Sequence, residues 1–105
     1  MEGVHMGSKR FSLVARVSTD SPEKIRPVLE RLYGSAAVRA GNSTDELVLE
    51  TDVEGADAKE LNRALLSELR RAEKRTRLRS EWSSGETTTR FFDYVQKGRT
   101  KGKTG

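Results

Sequence analysis

Residues 56–79, ADAKELNRALLSELRRAEKRTRLR, contain both periods from which the fold is read. Leu61, Leu65, Leu69 and Ala72 recur at helical spacing, a stripe widened by Ala64 and Leu66. Asp57 followed by Glu60 gives the helix a capping-box-like start, with a carboxylate in place of the usual hydroxyl. Acids stand at the beginning of this helix and bases at its end, so both ends complement the helix dipole. Near Thr76 the period changes to two. Leu78, Ser80 and Trp82 then alternate with Arg77, Arg79 and Glu81, which predicts a strand.

Working back from this helix, Glu46 to Val53 is a clear strand. Leu47, Leu49, Thr51 and Val53 share one face, and Glu46, Val48, Glu50 and Asp52 the other. Gly41 to Asp45 reads as a hairpin loop and Ser35 to Ala40 as a short strand leading into it. Ile25, Val28, Leu29 and Leu32 mark a helix entered at Ser21-Pro22 and ended at Gly34, where Ser21 is expected to cap the first turn. Pro27 is discordant, because inside a helix it deletes a hydrogen bond; it predicts a kink or an irregular first turn. Arg10 to Ser18 alternates Phe11, Leu13, Ala15 and Val17 with Ser12, Val14, Arg16 and Ser18, a strand with one apolar face. On the far side, Ser83 to Glu86 is a turn and Thr87 to Val95 a final strand rich in β-formers.

The predicted order is βαββαβ with one extra C-terminal strand. This is an α+β, ferredoxin-like two-layer sandwich, an antiparallel sheet carrying two helices on one face. The 105 residues fit one domain spanning residues 10–95, after a flexible lead-in at 1–9 and before a disordered basic tail at 96–105. Hydrophobic residues make up 33% and charged residues 34% of the chain, so most elements must expose one face to water, as a two-layer fold allows.

Cysteine is absent, which excludes disulfides, thiolate metal sites and a cysteine nucleophile. His5 is the single histidine, isolated in the lead-in. The N-terminal residues lack the apolar stretch of a secretory signal, and no apolar run has the length of a membrane span, so a cytoplasmic location without membrane contact is expected. No grouping of residues points to catalysis, a metal or a cofactor. Glu46, Glu50, Asp52 and Glu54 are spaced by two on one strand, but Val48 interrupts the row, and a solvated strand face explains them better than a cation site. The loop Gly41-Asn42-Ser43-Thr44 lacks the lysine and following helix of a phosphate loop.

The net charge of +4 is unevenly placed. Arg70, Arg71, Lys74, Arg75, Arg77 and Arg79 stand against one acid, Glu73, and the last ten residues carry Lys97, Arg99, Lys101 and Lys103 with no acid. Such density can neutralise phosphates, and Trp82, Phe91, Phe92 and Tyr94 could stack on unpaired bases. The competing explanation is a solvated helix end and a solubilising tail, with the aromatics in the core. The nucleic-acid-binding candidates are therefore Arg70, Arg71, Lys74, Arg75, Arg77, Arg79, Lys97, Arg99 and Lys101. The glycine-aromatic signature of the common RNA-recognition module is absent.

Leu47-Val48-Leu49-Glu50 followed by Ala64-Leu65-Leu66-Ser67-Glu68-Leu69-Arg70 resembles a segment of the small dimerising subunit of the KEOPS tRNA-modification complex, matching at Leu65, Ser67, Leu69 and Arg70. Leu66 stands where that pattern has a polar residue and Glu68 where it has an aromatic, and the Trp82–Tyr94 hairpin has no counterpart in it. The resemblance implies a non-catalytic scaffold that dimerises and helps hold tRNA. The basic helix end, the basic tail and the absence of catalytic groupings lead to the expected function, a non-enzymatic RNA-associated protein, a homodimer or a subunit of a larger RNA-modifying or RNA-processing assembly. The alternative is a protein-interaction or dimerisation module with no nucleic-acid role.

Overall fold

Alternating apolar residues make one strand the centre of the protein, with partners on both sides. The computed structural model describes residues 9–101, with backbone alone for 99–101. In chain order the elements are β1 (Lys9–Thr19), α1 (Pro22–Tyr33), a 3-10 turn (Ser35–Ala37), β2 (Val38–Ala40), β3 (Glu46–Gly55), α2 (Ala58–Ala72), β4 (Thr76–Ser84), β5 (Thr87–Phe92) and β6 (Val95–Lys101). The six strands form one sheet in the order β2-β3-β1-β4-β5-β6, and every pairing is antiparallel.

Phe11, Leu13, Ala15 and Val17 of β1 join Leu47 and Leu49 of β3, Leu78 and Trp82 of β4 and Phe91 of β5 on one buried face. Ile25 and Leu29 of α1 and Leu65, Leu66 and Leu69 of α2 cover that face. Burying a side chain of this size contributes about 1.5–3 kcal/mol, so this layer is the main source of stability. Phe11 and Trp82 meet edge to face, with centroids 6.2 Å apart. The opposite face of the sheet carries no helix.

Asp57 caps α2 as its spacing predicts, its Oδ1 accepting from the Glu60 N–H at 3.0 Å. Ser21 does not cap α1 with its side chain. Its hydroxyl donates instead to Glu73 Oε2 at 3.0 Å, tying the start of α1 to the end of α2. α1 runs through Pro27 as one continuous helix, and its first turn is tightened, the Ser21 carbonyl accepting from the Lys24 N–H (2.9 Å) as well as from the Ile25 N–H (3.2 Å). Gly34 closes this helix at φ 96°, a conformation that costs a glycine little.

The stretch expected as one final strand, Thr87 to Val95, ends as a strand at Phe92, and a second strand begins at Val95. The chain reverses at Asp93-Tyr94, so the sheet has one strand more than predicted, and the expected ferredoxin-like count holds only as an antiparallel sheet with two helices. Asp93 takes φ 58° and is fastened on every side. Its N–H donates to the Leu78 carbonyl (2.6 Å), and its Oδ1 accepts from the Leu78 N–H (2.8 Å). Its carbonyl accepts from Asn62 Nδ2 (2.7 Å), and its Oδ2 lies 3.3 Å from an Arg70 guanidinium nitrogen. The carboxylate thus extends the β4–β5 ladder by one acceptor.

The expectation of a disordered tail over residues 96–105 is corrected for residues 96–101. Residues 95–101 pair with β5 from Phe92↔Val95 to Thr87↔Lys101, with a bulge at Arg90/Phe91. An edge strand is held by main-chain bonds, which need no apolar alternation, and lysine is common at such edges. Residues 1–8 and 102–105, including His5 and Lys103, lie outside the described residues.

Candidate nucleic-acid interface

The basic run Arg70–Arg79 passes from a helix through a loop into a strand, and the structure divides it accordingly. Arg70 is committed to the fold. Its Nε donates to the Thr76 carbonyl (3.0 Å), its guanidinium pairs with Asp93, and its Cζ lies 5.7 Å from the Tyr94 ring centroid. Arg71 is exposed on the same helix and 3.8 Å from Glu68. Lys74 and Arg75 occupy the exposed connection to β4, with Arg75 3.7 Å from Asp20. Arg77 and Arg79 alternate outward from β4, onto the face without helices. Lys97 of β6 lines a groove on this same face. Arg99 and Lys101 pair in register with Thr89 and Thr87. Arg70, Lys74, Arg75 and Arg77 border one cleft of about 640 Å³, which Asp20 and Asp45 also line. Arg79 and Lys97 lie apart from it on the helix-free face, because a strand with buried Thr76, Leu78 and Ser80 turns its arginines away from α2, so the predicted residues do not all share one patch.

On the helix-free face the sheet register adds residues that the linear charge count missed. Arg16 of β1 is directly opposite Arg79 of β4, and Arg77 is opposite Ser18. Phe92 of β5 is the next neighbour of Arg79, whose Cζ lies 5.0 Å from the ring centroid. Val95 of β6 continues the row. Arg16, Ser18, Glu46, Arg77, Arg79 and Phe92 line a shallow depression of about 270 Å³. A wider groove of about 490 Å³ shares Arg16, Arg79 and Phe92 and extends to Val14, Glu81, Arg90 and Lys97. The signal for Arg16 was the polar half of the first strand's alternation. Its significance depends on which strand lies beside it.

Several acids of this face stand on β3, two of them beside arginines of neighbouring strands. Glu46, Glu50, Asp52 and Glu54 project from β3, with Glu50 2.8 Å from Arg39 and Glu54 4.0 Å from Arg10. Glu81 pairs with Arg90 at 3.1 Å. Among the described residues, Arg16, Arg77 and Arg79 make no ion pair. Like charges directly opposite each other across a ladder are unfavourable. The Arg16–Arg79 pair thus concentrates positive charge at a cost to the fold.

The aromatic residues also divide. Trp82 and Phe91 are core, so they offer no stacking surface. Tyr94 is exposed, but its hydroxyl is 3.3 Å from Ser67 Oγ of α2, beside the helices. Phe92 alone of the four lies half-buried beside the unpaired arginines.

Behind this face lies a buried polar network. Asn62 of α2 is 1% exposed, and its Oδ1 accepts from Ser80 Oγ (2.5 Å) and Trp82 Nε1 (3.3 Å) while its Nδ2 holds Asp93. A buried amide is satisfied only when both its oxygen and its nitrogen find partners. This network therefore fixes β4 and the β5–β6 turn relative to α2, and with them the positions of Arg79 and Phe92. Among the described residues, no three acidic or histidine side chains are grouped to hold a metal, and no helix is long and apolar enough to cross a membrane. No family model, curated protein or solved structure matches the chain.

Proposed function

We propose that this chain is a non-enzymatic RNA-associated protein and that RNA binds the helix-free face of its sheet. The observation that carries this reading is the set of Arg16, Arg77 and Arg79, outward-facing and without ion pairs among the described residues, next to Phe92. Phosphates relieve the repulsion between such guanidinium groups, and arginine presents several donors to each of them. The order β2-β3-β1-β4, with a helix before β2 and another before β4, supports reading the core as ferredoxin-like with a β5–β6 extension. The resemblance of α2 to the KEOPS subunit favours a cytoplasmic, dimeric scaffold within a tRNA-modifying or other RNA-processing assembly.

Filter binding to tRNA and to an unstructured RNA at two salt concentrations tests this reading. Arg16→Glu/Arg77→Glu/Arg79→Glu is expected to abolish binding. The corresponding neutral triple variant should flatten the log K against log salt slope by about 2, as loss of three single-strand phosphate contacts requires. The helix-side variant Arg71→Glu/Arg75→Glu should bind nearly as well as the parent. No binding at low salt, or equal losses from both charge-reversed variants, would overturn the proposal.

The exposed side chains of Val14 and Val95 on this face favour a second reading, a protein-docking or dimerisation module. It requires a concentration-dependent dimer in sedimentation equilibrium that Val14→Lys or Val95→Lys disrupts, without RNA affinity.

A further inference from the structure

Resting on that reading, we infer that the sheet face takes an unpaired segment of RNA, with one base stacked at Phe92 and the backbone crossing β1, β4, β5 and β6. The charge arrangement sets the path. Glu46, at the rim of the depression, and the outward Asp52 disfavour phosphate on the β3 side, where Arg39 and Arg10 are already engaged by Glu50 and Glu54. Arg16, Arg77 and Arg79 hold the centre, and Lys97 lies at the β6 end of the connected groove. From β1 to β6 is three strand spacings, roughly 14 Å at about 4.8 Å each. That span suits a short extended segment.

Phe92 discriminates between paired and unpaired RNA. The edges and backbone of an RNA duplex are accessible, but the faces of its bases are buried in the stack. A ring set among arginines therefore contributes only if a base is splayed out. Arg79 lies over Phe92 and adds a planar cation on which a neighbouring base can stack. A face built for duplex phosphates alone would gain nothing from this arrangement.

The experiment compares an oligo-U of about ten nucleotides, within the usual range of single-strand site sizes, with a duplex of the same length. The single strand should bind at least about tenfold more tightly. Phe92→Leu keeps an apolar residue and should weaken oligo-U binding about 5- to 150-fold, the range expected for one lost base stack, with duplex affinity unchanged. Phe92→Trp should retain affinity and show emission quenched by oligo-U, against the constant emission of buried Trp82. Equal or tighter duplex binding, or oligo-U affinity unaffected by Phe92→Leu in a folded variant, overturns the unpaired-segment inference. If duplex binding is nevertheless abolished by the Arg16/Arg77/Arg79 reversal, the RNA reading stands. Absence of binding to either probe at low salt overturns both.

Discussion

Arg16 and Arg79 face each other across the β1–β4 ladder, two like charges with no described carboxylate in ion-pair contact with either. Opposite charges at such a position stabilise a sheet by about 0.2–1 kcal/mol and like charges destabilise it. Arg16→Glu should therefore raise the urea midpoint while weakening RNA binding, and Arg79→Glu should act in the same direction. A variant that loses both stability and affinity would show that these arginines serve the fold.

Asn62 is an acceptor for two core donors and a donor to the β5–β6 turn. Asn62→Ala leaves the Ser80 hydroxyl without its acceptor and the Asp93 carbonyl without the Asn62 donor in a buried site, while the Trp82 indole N–H keeps Ser80 Oγ at 3.1 Å. The expected cost is about 2–4 kcal/mol, from unsatisfied groups at about 1–3 kcal/mol each with partial relaxation. Urea unfolding followed by Trp82 emission measures it, and a cost below about 1 kcal/mol would refute the network's role.

Asp93 completes the sheet ladder and anchors Arg70. Asp93→Asn keeps a neutral acceptor for the Leu78 N–H and should cost about 1 kcal/mol. Asp93→Ala removes both carboxylate contacts and places alanine in a left-handed conformation that aspartate tolerates better. It should cost about 2–4 kcal/mol. Equal stability of the two variants in urea would exclude the carboxylate's ladder function.

The Glu73 carboxyl is held below the ordinary carboxylate range. The Arg75 backbone N–H at 3.2 Å is the main cause and the Ser21 hydroxyl the second, with smaller help from the charges of Lys24 and Arg75 and opposition from desolvation. With its folded pKa below its unfolded value, Glu73 adds stability above the unfolded pKa. That contribution fades as pH falls through the folded one. Ser21→Ala should raise the Glu73 midpoint in a carbon-detected NMR titration and shift the acid limb of unfolding to higher pH. An unchanged midpoint would show that the Ser21 contact is absent in solution.

Much of the fold is legible locally. The burial of Leu65, Leu66 and Leu69, the Asp57 cap and the alternation of β1, β3 and β4 follow from spacing that each segment carries within itself. The buried Asn62 was not legible, because its polarity placed it outside the apolar stripe although it faces the same interior. The turn at Asp93 was hidden for a similar reason. Thr87 to Val95 has strand-forming residues throughout, and the reversal depends on Asn62, Arg70 and Leu78, which are distant in sequence.

Which side chains of each strand turn outward, including Arg16, Arg77 and Arg79, is written in the sequence, because alternation is a property of one extended backbone. That Arg16 lies against Arg79, that Phe92 joins them and that Arg70 is engaged by Asp93 come from the way the strands and helices pack. The physical reason is that strand adjacency and register arise from covering the whole sheet with two helices. Local periodicity carries no information about which strand becomes the neighbour.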